Sequence, residues 1–321
     1  MKVPLSVRAC STRRMQSLPR LPPALFQRSF SFLSRDIAAA LVADQHPPGE
    51  LGRLAREYEQ RSATVLQCQL PIEHIPCPAR KVDVSSPDSG SVLIVHALDC
   101  GQAGIKKTIG SGFAIRPRPG SSDEDTMVLT CAHTLEDRSI VQIASSHSKS
   151  NGDKDMYSRS GSWVISEVGG QLATEPLRSV LSAVRHADIL LLSVGRSPLR
   201  TLPVSPFPAA VGSTVYAHFV SAQKPESDRQ WFPWVGGTWR TWMPCTVTGY
   251  KDRRGRVAQT GTYDELTQMM FYPAPPPGSS GGPIVNESGT VVGVTLGSMR
   301  DYGQSRQQGW GVPAQDIYEV S

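Results

Sequence analysis

The sequence predicts an all-β protein of two packed six-stranded antiparallel β-barrels, with an N-terminal helical extension and a short C-terminal helix. Three observations carry that prediction. From Ser91 onward, short apolar runs bounded by Gly, Pro, Ser or Asp recur along the 321-residue chain. Hardly any helical period interrupts them. They fall into two sets of six, separated by the stretch from Gly195 to Pro208, which suits a pair of barrels better than one sheet.

The elements follow in order. Residues 1–35 carry seven basic residues (Lys2, Arg8, Arg13, Arg14, Arg20, Arg28, Arg35), many serines and no Asp or Glu. Arg-rich, Ser-rich and acid-poor is the composition of an organelle transit peptide, so a mitochondrial location is expected, with the cytoplasm as the alternative. Arg13, Arg14 and Arg20 break up the compact apolar stretch that a secretory signal needs, while Pro4, Pro19, Pro22 and Pro23 count against one continuous amphipathic helix. Residues 36–90 read as a helical extension and linker. Leu51, Leu54, Ala55 and Tyr58 recur at spacings of three and four, Pro47-Pro48-Gly49 divides two short helices, and Pro71, Pro76, Pro78 and 85–90 mark the linker. The β region, 91–321, divides into barrels of about 91–200 and 201–321. Its expected strands are 91–98, 108–116, 126–131, 139–145, 162–168 and 188–194, then 213–220, 243–250, 267–272, 283–286, 290–297 and 309–313. Residues 315–319 close the chain as a helical turn.

Composition excludes several classes. With 39% hydrophobic and 19% charged residues the chain can bury a sizeable core. Its longest apolar runs (Ile37 to Ala43, Ile189 to Leu192) fall far short of a bilayer span, so no transmembrane segment is expected. The formal charge of +5 belongs to the tail and the remainder is slightly acidic, so the basic balance says nothing of nucleic-acid binding by the folded part, and no nucleic-acid partner is expected. Six dispersed cysteines show no CxxC pair or metal-ligand spacing. Neither a metal nor a cofactor is expected, and the thiols read as reduced.

Three segments carry chemistry. In Gly278-Ser279-Ser280-Gly281-Gly282-Pro283, glycines let a turn approach a substrate and aim consecutive N–H groups at one point, as a tetrahedral oxyanion requires. Val128-Leu129-Thr130-Cys131-Ala132-His133 is a buried-type strand running into a histidine that could take a serine proton at neutral pH. Ala187-Asp188-Ile189-Leu190-Leu191-Leu192 sets an acid before an apolar strand, where burial is costly unless it is hydrogen-bonded, as by a His Nδ1–H. Taken singly, each has a plainer reading as a Gly/Ser loop, a structural histidine or a strand cap. Together they run in the order His133, Asp188, Ser280.

That order, with these segments, resembles the chymotrypsin-fold serine proteases, over residues 91–320. The motifs are most similar to the protease domain of the HtrA/Deg family, without a PDZ domain. They are Gly110-Ser111-Gly112-Phe113-Ala114-Ile115, Leu129 to His133, Ala187 to Leu192, Gly278 to Asn286, and Gly309-Trp310-Gly311-Val312-Pro313-Ala314. The resemblance implies a serine endopeptidase acting on polypeptides through an acyl-enzyme, in intracellular protein processing or quality control. It implies His133, Asp188 and Ser280 as the catalytic triad and the N–H groups of Gly278 and Ser280 as the oxyanion hole. It further implies Thr295, Leu296 and Gly297 as a substrate-pairing edge. Ala274 would lie at the base of the specificity pocket, favouring an apolar or small side chain over Arg or Lys. Oligomeric state is left open.

Two departures from secreted trypsin-like enzymes stand out. Ser279 occupies the place of the Asp that receives a newly cut N-terminal ammonium, so activation by that salt bridge is not expected. Thr134 occupies the place of the cysteine that follows the catalytic histidine. The segment 221–242 holds Trp231, Trp234, Trp239 and Trp242, either as a gripping loop or as packing onto the second barrel. Lys251 to Arg256 reads as a solvated hairpin tip. Two other functions remain in view. A catalytically silent barrel would use the same fold to bind peptides or partner proteins. An ester hydrolase would need a Gly-x-Ser-x-Gly elbow, which 278–282 does not fit.

Overall fold

The computed structural model describes residues 50–62, 70–86, 90–99, 105–116, 126–136, 160–168, 171–226, 230–300 and 306–320. The basic tail, the region around Pro47-Pro48-Gly49, the expected strand at 139–145, and Cys10, Cys68 and Cys100 lie outside the described residues.

The first sheet contains β1 (Ser91–Asp99), β2 (Ile105–Ile115), β3 (Met127–Cys131), β4 (Ser160–Val168), β5 (Gln171–Pro176), β6 (Ser179–Val184) and β7 (Ile189–Ser193). They pair antiparallel in the order β5-β4-β1-β2-β3-β7-β6. β5 and β6 lie outside the expected strands. Pro176 ends the first, and Ser179 and Ser182 interrupt the second, so neither makes a long apolar run. No pairing joins β5 to β6 among the described residues, so this sheet has seven strands rather than the expected closed six.

The second sheet meets the barrel prediction. Its strands are β8 (Thr214–Ser221), β9 (Phe232–Pro233), β10 (Trp239–Lys251), β11 (Val257–Ala258), β12 (Gln268–Tyr272), β13 (Pro283–Asn286), β14 (Val291–Arg300) and β15 (Gln307–Pro313). Because β8 pairs with both β13 and β10, the ring β8-β10-β12-β15-β14-β13 closes on itself, and β9 and β11 are short additions to β10. Closure removes the exposed edges that an open sheet would present. Met243, Cys245 and Val247 of β10 point inward with Phe219, Met269, Phe271 and Ile284, while Pro244, Thr246 and Thr248 face out.

Alternation also explains the first sheet. Val92, Ile94 and Leu98 of β1 share a core with Leu51, Leu54 and Tyr58, which line one face of helix α1 (Glu50–Arg61). Leu93, Val95 and Ala97 point the other way, onto Trp163, Val220, Trp234 and Val235. β1 is therefore buried from Ser91 to Leu98 because both its faces are covered. The strand β7 divides likewise. Leu190 and Leu192 face the α1 side, while Ile189 and Leu191 join Val285, Val291, Val294 and Leu296 of the second barrel. The α1 segment also shields β6, since Glu57 accepts the Val180 N–H at 3.0 Å and Ser62 bridges Ala183.

The tryptophan segment is not one long loop, because β9 and the start of β10 lie within it. Trp231 joins the second-barrel core, and Trp234 packs against first-sheet residues. Arg240 is nearly buried, lies 5.1 Å from the Trp234 ring centroid and pairs with Glu167 of β4 at 3.0 Å, linking the two sheets. The chain ends in helix α2 (Gln315–Val320), as the sequence predicts, with the Tyr318 hydroxyl donating to the Val204 carbonyl. Among the described residues no helix is long and apolar enough to cross a membrane.

Two buried histidines make stability depend on pH. Burial pushes His96 down to about 4; burial, then the Arg240 charge, pushes His218 down to about 3. In the unfolded chain each titrates near the ordinary value of about 6.5. Between those limits the unfolded state binds more protons, so stability is full above the unfolded value and falls as pH drops below it. Urea unfolding should show a loss of about 2 kcal/mol per histidine between pH 7 and pH 5. His96→Gln, which keeps a partner for Ser162 Oγ (2.7 Å from His96 Nδ1), should remove one share of that loss.

Candidate active site

The histidine sits where a buried strand first meets solvent. β3 is buried along its length, and the chain then enters a 3₁₀ turn at Ala132–Thr134 whose small first residue stays inside. The Thr134 hydroxyl donates to the Cys131 carbonyl at 3.0 Å, holding the turn and presenting His133 outward. β7 begins directly after Asp188, which ends a 3₁₀ turn at Arg185–Ala187 in the left-handed conformation, φ 54° and ψ 36°. Asp188 is the one non-glycine residue with positive φ among the described residues. Asp tolerates that conformation better than most side chains, and such strain typically costs about 1–3 kcal/mol and gathers at functional sites.

This backbone brings the two residues together twice. Asp188 Oδ1 accepts the His133 backbone N–H at 2.8 Å, and Oδ2 accepts the ring Nδ1–H at 2.6 Å. The Asp188 carbonyl also accepts the Ala132 N–H at 3.0 Å, which ties the two turns at their roots. The tautomer is thereby set with hydrogen on Nδ1, leaving Nε2 as the acceptor. Burial alone would lower the imidazole pKa, but hydrogen bonds to Asp188 and Cys131 outweigh it and push the value up to about 10.

The serine segment is held from several sides. Ser279 is fully buried, its hydroxyl accepting the Val220 N–H at 3.0 Å. Ser111 N–H donates to the Ser280 carbonyl at 2.7 Å, and the Ser111 hydroxyl donates to the Gly278 carbonyl at 2.8 Å. Gly281 N–H donates to the Thr295 carbonyl at 2.7 Å, while Thr295 N–H donates to the Gly282 carbonyl at 2.8 Å. Gly278 and Gly281 have φ of 97° and 85°, open to glycine and strained for other residues. Among the described residues, neither the Gly278 N–H nor the Ser280 N–H meets a protein acceptor, as an oxyanion-binding pair requires.

Not every expected contact is made. The Ser280 hydroxyl donates to the Leu296 carbonyl at 2.8 Å, while His133 Nε2 lies 3.6 Å from Cys131 Sγ. Serine and imidazole are thus each engaged elsewhere. The expected pairing edge also needs correction. Both backbone groups of Thr295 are taken by the serine segment, so that residue cannot pair with a substrate strand. The open side of β14 begins later, over Gly297–Arg300, where β15 supplies the only strand partner among the described residues. Ala274 is half-buried in the segment after β12. Sequence reasoning quoted Ser111 and Cys131 within motifs but gave them no role. The signal for Ser111 was a polar residue between two glycines in an otherwise buried strand.

Residues 110–294 match the family model for a trypsin-like peptidase domain. The active form of the Rv3671c protease from M. tuberculosis is similar in structure at 19% identity, covering 80% of this chain and 92% of that one, with a TM-score of 0.45. The MamO protease domain from Magnetospirillum magneticum is similar at 16% identity over 70% and 93% of the two chains, TM-score 0.40. The serine endoprotease from Yersinia pestis is similar at 15% identity over 75% and 62%, TM-score 0.41. No curated protein matches the sequence.

The tightest packing in the site gives a direct test. A Cβ at Gly281 would lie 2.1 Å from the Ser111 carbonyl oxygen and 2.9 Å from the Cys131 nitrogen, both backbone atoms. Gly281→Ala should therefore lower stability by about 3 kcal/mol, from overpacking and an unfavourable φ together, as read by urea denaturation.

Proposed function

The chain belongs to the trypsin-like peptidase domain family of serine endopeptidases, and we propose that its chemistry runs through Ser280, His133 and Asp188. The observation that carries this reading is the double hydrogen bond from His133 to Asp188. Beside it, the serine segment leaves the Gly278 and Ser280 amides without acceptors among the described residues.

In this reading Ser280 Oγ attacks a peptide carbonyl and gives its proton to His133 Nε2. Asp188 holds the Nδ1–H and stabilises the imidazolium that forms. The developing oxyanion takes hydrogen bonds from Gly278 N–H and Ser280 N–H, each worth about 3–4 kcal/mol in the transition state. His133 then protonates the leaving amine, and water, deprotonated by the same ring, releases the acyl group. Two rotations precede attack: Ser280 Oγ leaves the Leu296 carbonyl, and His133 Nε2 leaves Cys131. A polypeptide lies along Gly297–Arg300, with an apolar or small side chain directed toward Ala274. The Arg- and Ser-rich tail supports protein processing or quality control in mitochondria as the setting.

A second reading, a catalytically silent barrel that binds peptides, is favoured by the separate engagement of Ser280 and His133. A fluorophosphonate probe separates the two. It should label the wild type and fail with Ser280→Ala, whereas a folded wild type that resists the probe would favour the silent barrel.

The pH profile supplies another test. Deprotonation of His133 sets the acid limb of kcat/KM. Since the Asp188 and Cys131 contacts raise its pKa, activity should climb through neutral into alkaline pH. Cys131→Ala removes one raising contact and leaves Asp188, so the limb should move to lower pH. An unmoved limb would mean that the thiol does not engage the ring in solution.

A further inference from the structure

Beyond the three residues assigned above, the serine segment depends on a neighbour that takes no part in bond making. We infer that Ser111 is a positioning residue that sets the orientation of the oxyanion-binding amides, an inference resting on the assignment of Ser280 as nucleophile. Ser111 lies on β2, is fully buried, and uses each of its polar groups. Its N–H holds the Ser280 carbonyl, its hydroxyl holds the Gly278 carbonyl, and its own carbonyl accepts the Thr130 hydroxyl at 2.7 Å. One side chain and its backbone thus grip the residues on both sides of Ser279.

The two ends of that grip differ in what else restrains them. At Gly281 sterics suffice, because the backbone is pressed against Ser111, Thr130 and Cys131. At Gly278 they do not. A Cβ there would find nothing nearer than Val220 at 3.8 Å, and a glycine at φ 97° has no side chain to limit rotation. Two hydrogen bonds hold the 278–279 peptide instead: the Ser111 hydroxyl donates to the Gly278 carbonyl at 2.8 Å, and the Ser279 N–H donates to the Pro276 carbonyl at the longer distance of 3.3 Å. Holding that carbonyl restrains ψ of Gly278 and so narrows the range over which its N–H can point. Positioned donors act in the transition state more than in substrate binding, so the effect belongs in kcat.

The test compares wild type, Ser111→Ala and Ser111→Cys. The cysteine variant keeps much of the side-chain volume with a weaker donor, so it carries the comparison should the alanine variant not fold. Expected is a ten- to hundredfold fall in kcat on a peptide ester for Ser111→Ala, with KM within threefold of wild type and a smaller fall for Ser111→Cys. The affinity of a peptide boronate, which mimics the tetrahedral adduct, should fall by the same factor as kcat/KM. Amide hydrogen exchange should rise over 277–282 while β3 and β8 stay protected. A kcat within threefold of wild type in both variants, or exchange rising across the whole barrel, would overturn the inference. If the wild type neither labels with fluorophosphonate nor turns over, the assignment of Ser280 fails. The exchange at 277–282 then still decides whether Ser111 holds the segment.

Discussion

Everything in the cleft depends on one seam, where the glycines of the second barrel's serine segment press against β2 and β3 of the first sheet. Ser111, Thr130 and Cys131 form one side of it and Gly281 the other, at a spacing that leaves no room for a Cβ. Hydrogen bonds alone could not set such a register, because each is worth only about 1 kcal/mol net. Backbone contact with no slack can, since any slip produces overlap. The bonds from Ser111 then orient what sterics have located.

The seam holds only if the two sheets keep their relation, and the core is arranged for that. Period-two alternation in β1, β3 and β7 directs half of each strand toward α1 and half toward the second barrel. The helix is thus a structural part of the first sheet's core, and its loss would open the face that supports His133 and Asp188. The Arg240–Glu167 pair and the Trp234 packing form a second attachment between the sheets. Near it His218 lies edge-on to two tryptophans, each with its ring centroid 5.3 Å away, neutral and fully buried. A core that keeps such groups is stable only where they remain uncharged, so acid weakens the same packing that aligns the cleft.

Electrostatics at the cleft works through partners rather than burial. Asp188 receives two donors from one residue, which orients the imidazole without needing a fixed loop around it. The neighbouring thiol adds a contact at the other nitrogen, so the ring is stabilised in its charged form in this arrangement. The serine hydroxyl meanwhile rests on β14, on the Leu296 carbonyl next to the stretch Gly297–Arg300. Both groups are satisfied at rest, which avoids the cost of unpaired polar atoms in a narrow cleft.

Much of this was legible in the chain order. Eleven of the expected strands are present, and the twelfth, at 139–145, lies outside the described residues. His133 and Asp188 were findable because each interrupts a local pattern, a polar residue at the end or start of an apolar strand. β5 and β6 were not, since serine and proline hide their alternation. Nor were the roles of Ser111, Cys131 and the Leu296 carbonyl, because nothing near them in sequence says what they touch. By itself, then, the sequence determined strand positions, the all-β class and the residue types of the candidate site, all properties of short-range periodicity and composition. Tertiary structure alone decided that the first sheet has seven strands among the described residues, that Thr295 is consumed by the serine segment, and which acceptor each hydroxyl meets. Those outcomes depend on ångström-scale distances between segments far apart in the chain, and no local pattern encodes them.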